Sequence, residues 1–214
     1  MGTIAITTRT ILSALLLISL LQEVAGSLGL ARRAYGVFDR EGGHLVSQYP
    51  FTRGQSYSVL WADMNPARGV YNFKALDAMA AFSASQNQVF VFQISPIGGA
   101  VGSSMPQFIF DLGVPSVSDG TYKYGFYLDP LYQTLFKEMV DRLAVHVRQE
   151  LPKASLDAIA FVRVDTGATG DEGPYEEAHL VPSKYAIDEA AWRTFRLWVF
   201  EVYRVRLCGY VCVM

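Results

Sequence analysis

Five carboxylates crowd one short stretch of the chain. Asp165, Asp171, Glu172, Glu176 and Glu177 lie in or beside TGATGDEGPYEE, Thr166–Glu177, which directly follows the apolar run AIAFVRVD. That run reads as a buried strand. A carboxyl group at the end of such a strand, shielded by aromatic walls, loses hydration, and desolvation raises its pKa; a negative neighbour pushes the same way. Glu172 with Asp171 beside it has both features. A carboxylic acid still protonated near neutral pH can donate a proton to a leaving oxygen. Gly170 and Gly173 bracket the pair and allow the sharp backbone excursion that would aim a side chain inward. The plainer reading, a solvated acidic loop or a cap on the next helix, stays open beside it.

The elements that must position this stretch follow from periodicity. RRAYGVFD, Arg32–Asp39, ends in a short apolar strand, and no clear helix follows it. GQSYSVLWADMNP, Gly54–Pro66, begins as an alternating β-rich run, and NPARG has turn chemistry. Asn72 is a suitable N-cap for a helix with Phe73, Leu76, Met79, Ala80 and Phe82 at helical spacing. NQVFVFQISP, Asn87–Pro96, is a continuous apolar run of strand length, as expected of a strand covered on both faces. A long glycine-rich loop is expected from Ile97 to Tyr127. Asp129-Pro130 opens a strong helix, an N-cap followed by proline at the first helical position. Leu131, Leu135, Met139, Leu143 and Val147 share one face of it. LDAIAFVRVD, Leu156–Asp165, is the next strand, and a last helix starts near Ala186 with Trp192, Phe195, Val199 and Val202 on one side.

This alternation favours a parallel sheet with helices outside. A doubly wound sheet and a (β/α)8 barrel both fit. No dinucleotide fingerprint follows the first strand, and GGAVGSSMP lacks the lysine of a phosphate-cradling loop. No cofactor is therefore expected, and the doubly wound reading loses ground. In a barrel, working residues sit on the loops after the strands. Here those loops carry Trp61, Asp63 and Asn65, then Gln93 and Ser95, then the acidic stretch.

The chain has 214 residues, a formal net charge of −2 and 51% hydrophobic content, enough for one domain with a proper core. No Lys/Arg cluster provides a footprint for nucleic acid. Arg9, the apolar run Ile11–Leu21 and the small residues Val24-Ala25-Gly26 read as a secretory signal over residues 1–26, cut before Ser27. The run is short for a membrane span, so no stable span is expected. A secreted or lumenal protein is the main expectation, with an uncleaved signal anchor as the alternative. Cys208 and Cys212 have no nearby His or further Cys. Neither a disulfide nor a metal site is supported, and residues 208–214 read as an irregular tail.

VLWADMNPARGVYNFKALDAM, Val59–Met79, resembles a segment of clan A retaining glycoside hydrolases, in the β-galactosidase-like branch near family 42. SSMPQFIFDLG is similar to that branch's element after the third strand, with Phe108 where Trp is usual. The resemblance spans roughly Gly36 to Tyr203. It implies an α/β fold, a partial (β/α)8 TIM barrel of about four β/α units over residues 27–207. It implies a carbohydrate substrate, Glu172 as acid/base at the end of the fourth strand, and Asp171 where the branch has Asn. Trp61 and Tyr127 would stack on sugar faces, although a buried Trp61 is as common an outcome. Arg163, if inward, would pair with Asp165 or Glu172; an outward, solvated Arg163 is the alternative. Retaining hydrolysis needs a second carboxylate about 5–5.5 Å away. The family's follows the seventh strand, for which this chain has no position. The expectation is a front half, inactive alone, that self-associates through open barrel edges. The other reading is a non-catalytic secreted carbohydrate-binding or interaction protein.

Overall fold

The computed structural model describes residues 36–40, 43–96, 105–168 and 173–207, with the backbone of 212–213. The signal reading, Asp171, Glu172 and Cys208 fall outside the described residues. The main sheet contains β1 (Val37–Asp39), β2 (Thr52–Leu60), β3 (Val89–Ser95), β6 (Ile159–Val164) and β7 (Cys212–Val213), in the order β1-β2-β3-β6-β7 with every neighbouring pair parallel. β7 occupies part of what the sequence reads as an irregular tail; it pairs Cys212 with Phe161 and Val213 with Val162.

The connections are helical. A single turn, α1 (Trp61–Met64), and then α2 (Lys74–Ser85) join β2 to β3. α2 begins after Phe73, and the Asn72 side chain accepts from Lys74 N–H at 3.3 Å. Just past its C-cap Gln86, Asn87 takes φ +53, a left-handed conformation that asparagine tolerates better than most residues. α4 (Pro130–Val145) starts where the sequence places it, with the Asp129 carboxylate accepting from the N–H groups of Leu131 and Tyr132. A π-turn, His146–Glu150, extends α4. Then α5 (Lys153–Ala158) takes up residues that the sequence assigns to the start of a strand: Pro152 ends the preceding turn in an extended conformation and Lys153–Ala158 winds one more helix before β6. α6 (Glu189–Leu207) packs Trp192, Phe195, Val199 and Val202 inward.

The expected long loop is partly structured. It contains α3 (Gln107–Asp111) and an antiparallel hairpin of β4 (Ser116–Ser118) and β5 (Lys123–Gly125).

The sheet has two unlike faces. Val59, Phe90, Phe92, Ile94, Val162 and Val164 lie in the main core, which also contains the helix residues Leu76, Met139 and Leu143. The opposite face carries a smaller apolar cluster of Val89, Val91 and Ala160, with Phe38 and Phe161 packed on it. Phe38 on β1 and Phe161 on β6 meet edge-on with centroids 6.1 Å apart. Their strands are separated by β2 and β3, so a flat sheet would hold them about 14 Å apart at the ordinary strand spacing. The sheet is therefore curled toward this face, as barrel closure requires. At the start of β2, Gly54 lies tight against its β3 partner: a Cβ there would collide with the Val89 carbonyl.

Candidate functional site

At the carboxyl ends of β2, β3 and β6 the open face turns polar. Ser58, Gln93 and Arg163 are register partners across the three strands. Gln93 Nε2 donates to Ser58 Oγ at 3.2 Å and to Asp165 Oδ2 at 3.1 Å. Asp165 is only 6% exposed, and Ser95 and Thr166 beside it are also buried. A buried carboxylate persists where hydrogen-bond donors are fixed on it, and Gln93 is one such donor. Barrel interiors are ordinarily filled by bulky branched side chains. A row of Ser58, Gln93 and Arg163 at this height, with buried Asp165 at its end, is far more polar than such an interior.

The acidic stretch leaves and rejoins the fold at pinned points. Ala168 N–H donates to the Gly173 carbonyl at 3.2 Å. A Cβ on Gly167 would collide with that same carbonyl and stand 2.8 Å from Trp192 Cζ2, so only glycine fits. Downstream, Tyr175 is buried and its hydroxyl donates to the Tyr185 carbonyl at 3.1 Å.

Asp119 is the second anchor, and the sequence reading missed it. It has no exposed surface. Oδ1 accepts from the N–H groups of Thr121 and Tyr122, at 3.0 and 2.8 Å. Oδ2 accepts from the Tyr124 hydroxyl at 2.7 Å and from Glu177 N–H at 3.2 Å. The Tyr124 oxygen in turn accepts from Glu176 N–H at 3.3 Å. Burial alone would raise the Asp119 pKa, but hydrogen bonds from Tyr122, Tyr124, Glu177 and Thr121 outweigh it and hold the carboxyl below its usual range. Burial, and then the bond to Asp119, push the Tyr124 phenol well up. One buried carboxylate therefore fastens the hairpin to the far end of the acidic stretch. The signal was legible in VSDGTYKYG: a Ser-Asp-Gly turn between Val117 and Tyr124 in alternation.

The singled-out residues separate as follows. Of the five carboxylates, Asp165 lies at the strand end, while Glu176 is exposed and Glu177 half-buried on the surface. Trp61 and Tyr127 have no exposed surface. Trp61 meets Tyr132 and Phe136 edge-on at 5.8 and 5.6 Å and directs Nε1 to Asn65 Oδ1 at 3.3 Å. Tyr127 is enclosed by Tyr132, Tyr175, Trp192 and Phe195. A ring stacks on a sugar only through a free face, so the expectation of sugar stacking is corrected: both are core aromatics. Asn65 is also structural, with Nδ2 donating to the carbonyls of Ala67 and Val70 at 2.8 Å. Arg163 projects from the open face and is exposed. It makes no ion pair among the described residues, so the expected pairing with Asp165 is not formed; Gln93 makes the contact to that carboxylate instead. Among the described residues no group of three or more His, Cys, Asp or Glu could hold a metal, and no helix is long and apolar enough to cross a membrane.

No protein-family profile matches the chain, and no curated protein matches it. Solved structures do. The chain is similar to an exo-β-1,4-mannosidase from Opitutaceae bacterium strain TAV5, with a TM-score of 0.52 and 12% identity over 75% of this chain and 24% of that one. It is also similar to a β-glycosidase from Pyrococcus horikoshii, TM-score 0.48, 10% identity, 76% of this chain and 33% of that one. A third is a β-galactosidase from the haloarchaeon Halorubrum lacusprofundi, TM-score 0.43, 12% identity, 61% and 21%. The likeness to the mannosidase supports the fold as an α/β partial TIM barrel. The chain spans about a quarter of that enzyme's length.

Proposed function

We propose that the chain is the front part of a retaining, β-galactosidase-like glycosidase barrel with Glu172 as its general acid/base. Asp171 beside it would accept a hydrogen bond from a sugar hydroxyl. The observation that carries this reading is the convergence of Gln93, Ser95, Asp165 and Thr166 at the carboxyl ends of neighbouring parallel strands, on a sheet curled toward that face. Barrel enzymes work from that end of the sheet. The fold likeness to the exo-β-1,4-mannosidase supports a framework of this type.

In this reading the protein is secreted, and the second carboxylate of the retaining pair comes from a further strand–helix half. That half joins in the same polypeptide or by association at the open sheet edges, β1 and β7. The chain by itself is then inactive. A role in carbohydrate binding without catalysis rests on an exposed aromatic platform, and the burial of Trp61 and Tyr127 counts against it.

The test is hydrolysis of aryl β-galactosides and β-mannosides by the secreted chain and by Glu172→Gln. No turnover from the chain alone, with turnover gained when the missing half is supplied and lost again in Glu172→Gln, is the expected result. Turnover by an isolated monomer that depends on Glu172 would remove the two-half part of the proposal. Turnover indifferent to Glu172→Gln would remove the acid.

A further inference from the structure

Seven buried side-chain nitrogen or oxygen atoms have no hydrogen-bond partner among the described residues, and four of them belong to one place: the hydroxyls of Tyr127, Tyr132 and Tyr203 and the indole Nε1 of Trp192. The three tyrosines have no exposed surface and Trp192 is 5% exposed. They come from the segment before α4, from α4 and from α6, and their rings form one cluster. Trp192 meets Tyr127 with centroids 5.3 Å apart, and Tyr127 meets Tyr132 at 5.5 Å. Tyr132 and Tyr203 both pack on Phe136, at 6.1 and 6.2 Å.

These donors are costly as they stand. A buried donor that makes no bond gives up its hydration without return, and such atoms are rare in native cores. Packing does not demand the oxygens, because Phe136 and Phe195 fill neighbouring positions of the same cluster with rings that carry none. Burial is the first cause that pushes each of the three phenols up, and the Asp165 charge is a further cause in each, so all three keep their protons and act as donors. Asp165 is the carboxylate nearest to hand by that measure. It accepts from Gln93 on the open face and, as an aspartate, has room for further donors. None of the three hydroxyls reaches it directly. Water buried in a protein typically makes about three hydrogen bonds to polar groups of this kind.

We propose that Tyr127, Tyr132, Tyr203 and Trp192 enclose a buried hydration site at the root of the acidic stretch, in which ordered water carries their O–H and N–H donors to the Asp165 carboxylate. Asp165 is then held from two sides, by Gln93 across the strands and by hydrated phenols from the helices. Trp192 also stands against Gly167, where the chain leaves β6 for the acidic stretch, so the same site braces that exit. The site does not depend on Glu172 being an acid.

The experiment starts from thermal unfolding of the full chain with Tyr132→Phe and with Tyr203→Phe, which keep the ring and remove only the hydroxyl. A hydroxyl that is bridged to a carboxylate stabilises the fold, and each variant is expected to melt about 2–4 °C below the parent. A hydroxyl that is merely buried and unpaired gives the opposite sign, because its removal relieves a desolvated donor. Asp165→Asn keeps the side chain's size, and in that background the Tyr203→Phe loss is expected to fall by half or more, since groups in one network are not additive. Water–protein Overhauser NMR on the parent is expected to show a long-lived water contact at the Trp192 indole proton, which reads the site without any variant. No loss of melting temperature in either Phe variant, a Tyr203→Phe loss undiminished by Asp165→Asn, or an indole proton without a bound-water contact would overturn the site.

Discussion

Phe92 and Gln93 are neighbours on β3 and live in different surroundings. Phe92 has no exposed surface and stacks on Phe90 with centroids 5.7 Å apart, inside the core that the helices cover. Gln93, one residue on, points to the open face, where it joins Ser58 to Asp165. A parallel strand is ordinarily apolar on both sides, because helices or a barrel interior cover each face. Here the covered face follows that rule at Val59, Phe90, Phe92, Ile94, Val162 and Val164, with buried Gln55 as its polar exception, while the open face follows it only in its lower half, at Val89, Val91 and Ala160. Toward the carboxyl ends the same face becomes Ser58, Gln93, Arg163 and Asp165. One face is thus constrained by packing, and the upper part of the other by what must reach solvent or ligand.

The sharpest way to break this contrast is to remove bulk from the packed face. Phe92→Ala should cost about 3–5 kcal/mol in urea unfolding, because the cavity is enclosed and its neighbours cannot collapse fully. Gln93→Ala, one residue away, should cost well under half of that. Equal losses at the two positions would mean that both faces are equally packed, and the distinction would fail.

The contrast was half legible in the chain. NQVFVFQISP announces a strand by its apolar run, and Asp129-Pro130 announces a helix start, because local chemistry fixes both. Leu156–Ala158 reads as strand from its apolar content, yet the extended turn at Pro152 leaves room for a further helix before β6. Trp61 looked equally suited to a sugar and to the core; its partners Tyr132 and Phe136 come from a helix about 70 residues on, and no local pattern reveals them. Asp119 was missed for the same reason in reverse. Its turn is local, but its importance lies in Glu177 N–H, 58 residues away. Glu172 and Asp171, which lie outside the described residues, were picked from composition, glycine spacing and the family resemblance. Gln93 and Asp165 were visible only as members of loops, because their contact depends on the register of β3 against β6.

Asp119 lets the comparison be carried from faces to loops. Asp119→Asn keeps the shape but replaces an acceptor oxygen by a donor facing the Tyr124 hydroxyl or Glu177 N–H. A loss of about 1.5–3 kcal/mol is expected, the range for hydrogen bonds to a charged group. The sign of its pH dependence follows from the lowered carboxyl. The parent gains this stability above the ordinary aspartate range, near pH 4, and loses it as pH falls through the lower folded value. Asp119→Asn should therefore flatten the acid limb of a stability–pH profile. An unchanged acid limb would show that the carboxylate is not what fastens the hairpin to the acidic stretch.

The smallest expected effect is at Arg163, and it bears on what the open face is for. An exposed side chain with no ion pair among the described residues should contribute within about 0.5 kcal/mol, so Arg163→Ala should leave urea unfolding nearly unchanged in dilute solution. If a second half or a second copy covers the face, the same substitution acts on a buried guanidinium and its partner, and leaving a partner charge unpaired costs about 3–5 kcal/mol. Unfolding of the parent and of Arg163→Ala across a wide range of protein concentrations separates the two cases. A difference that grows with concentration places Arg163 in an interface. A difference that stays near zero keeps the polar end of the sheet open to water.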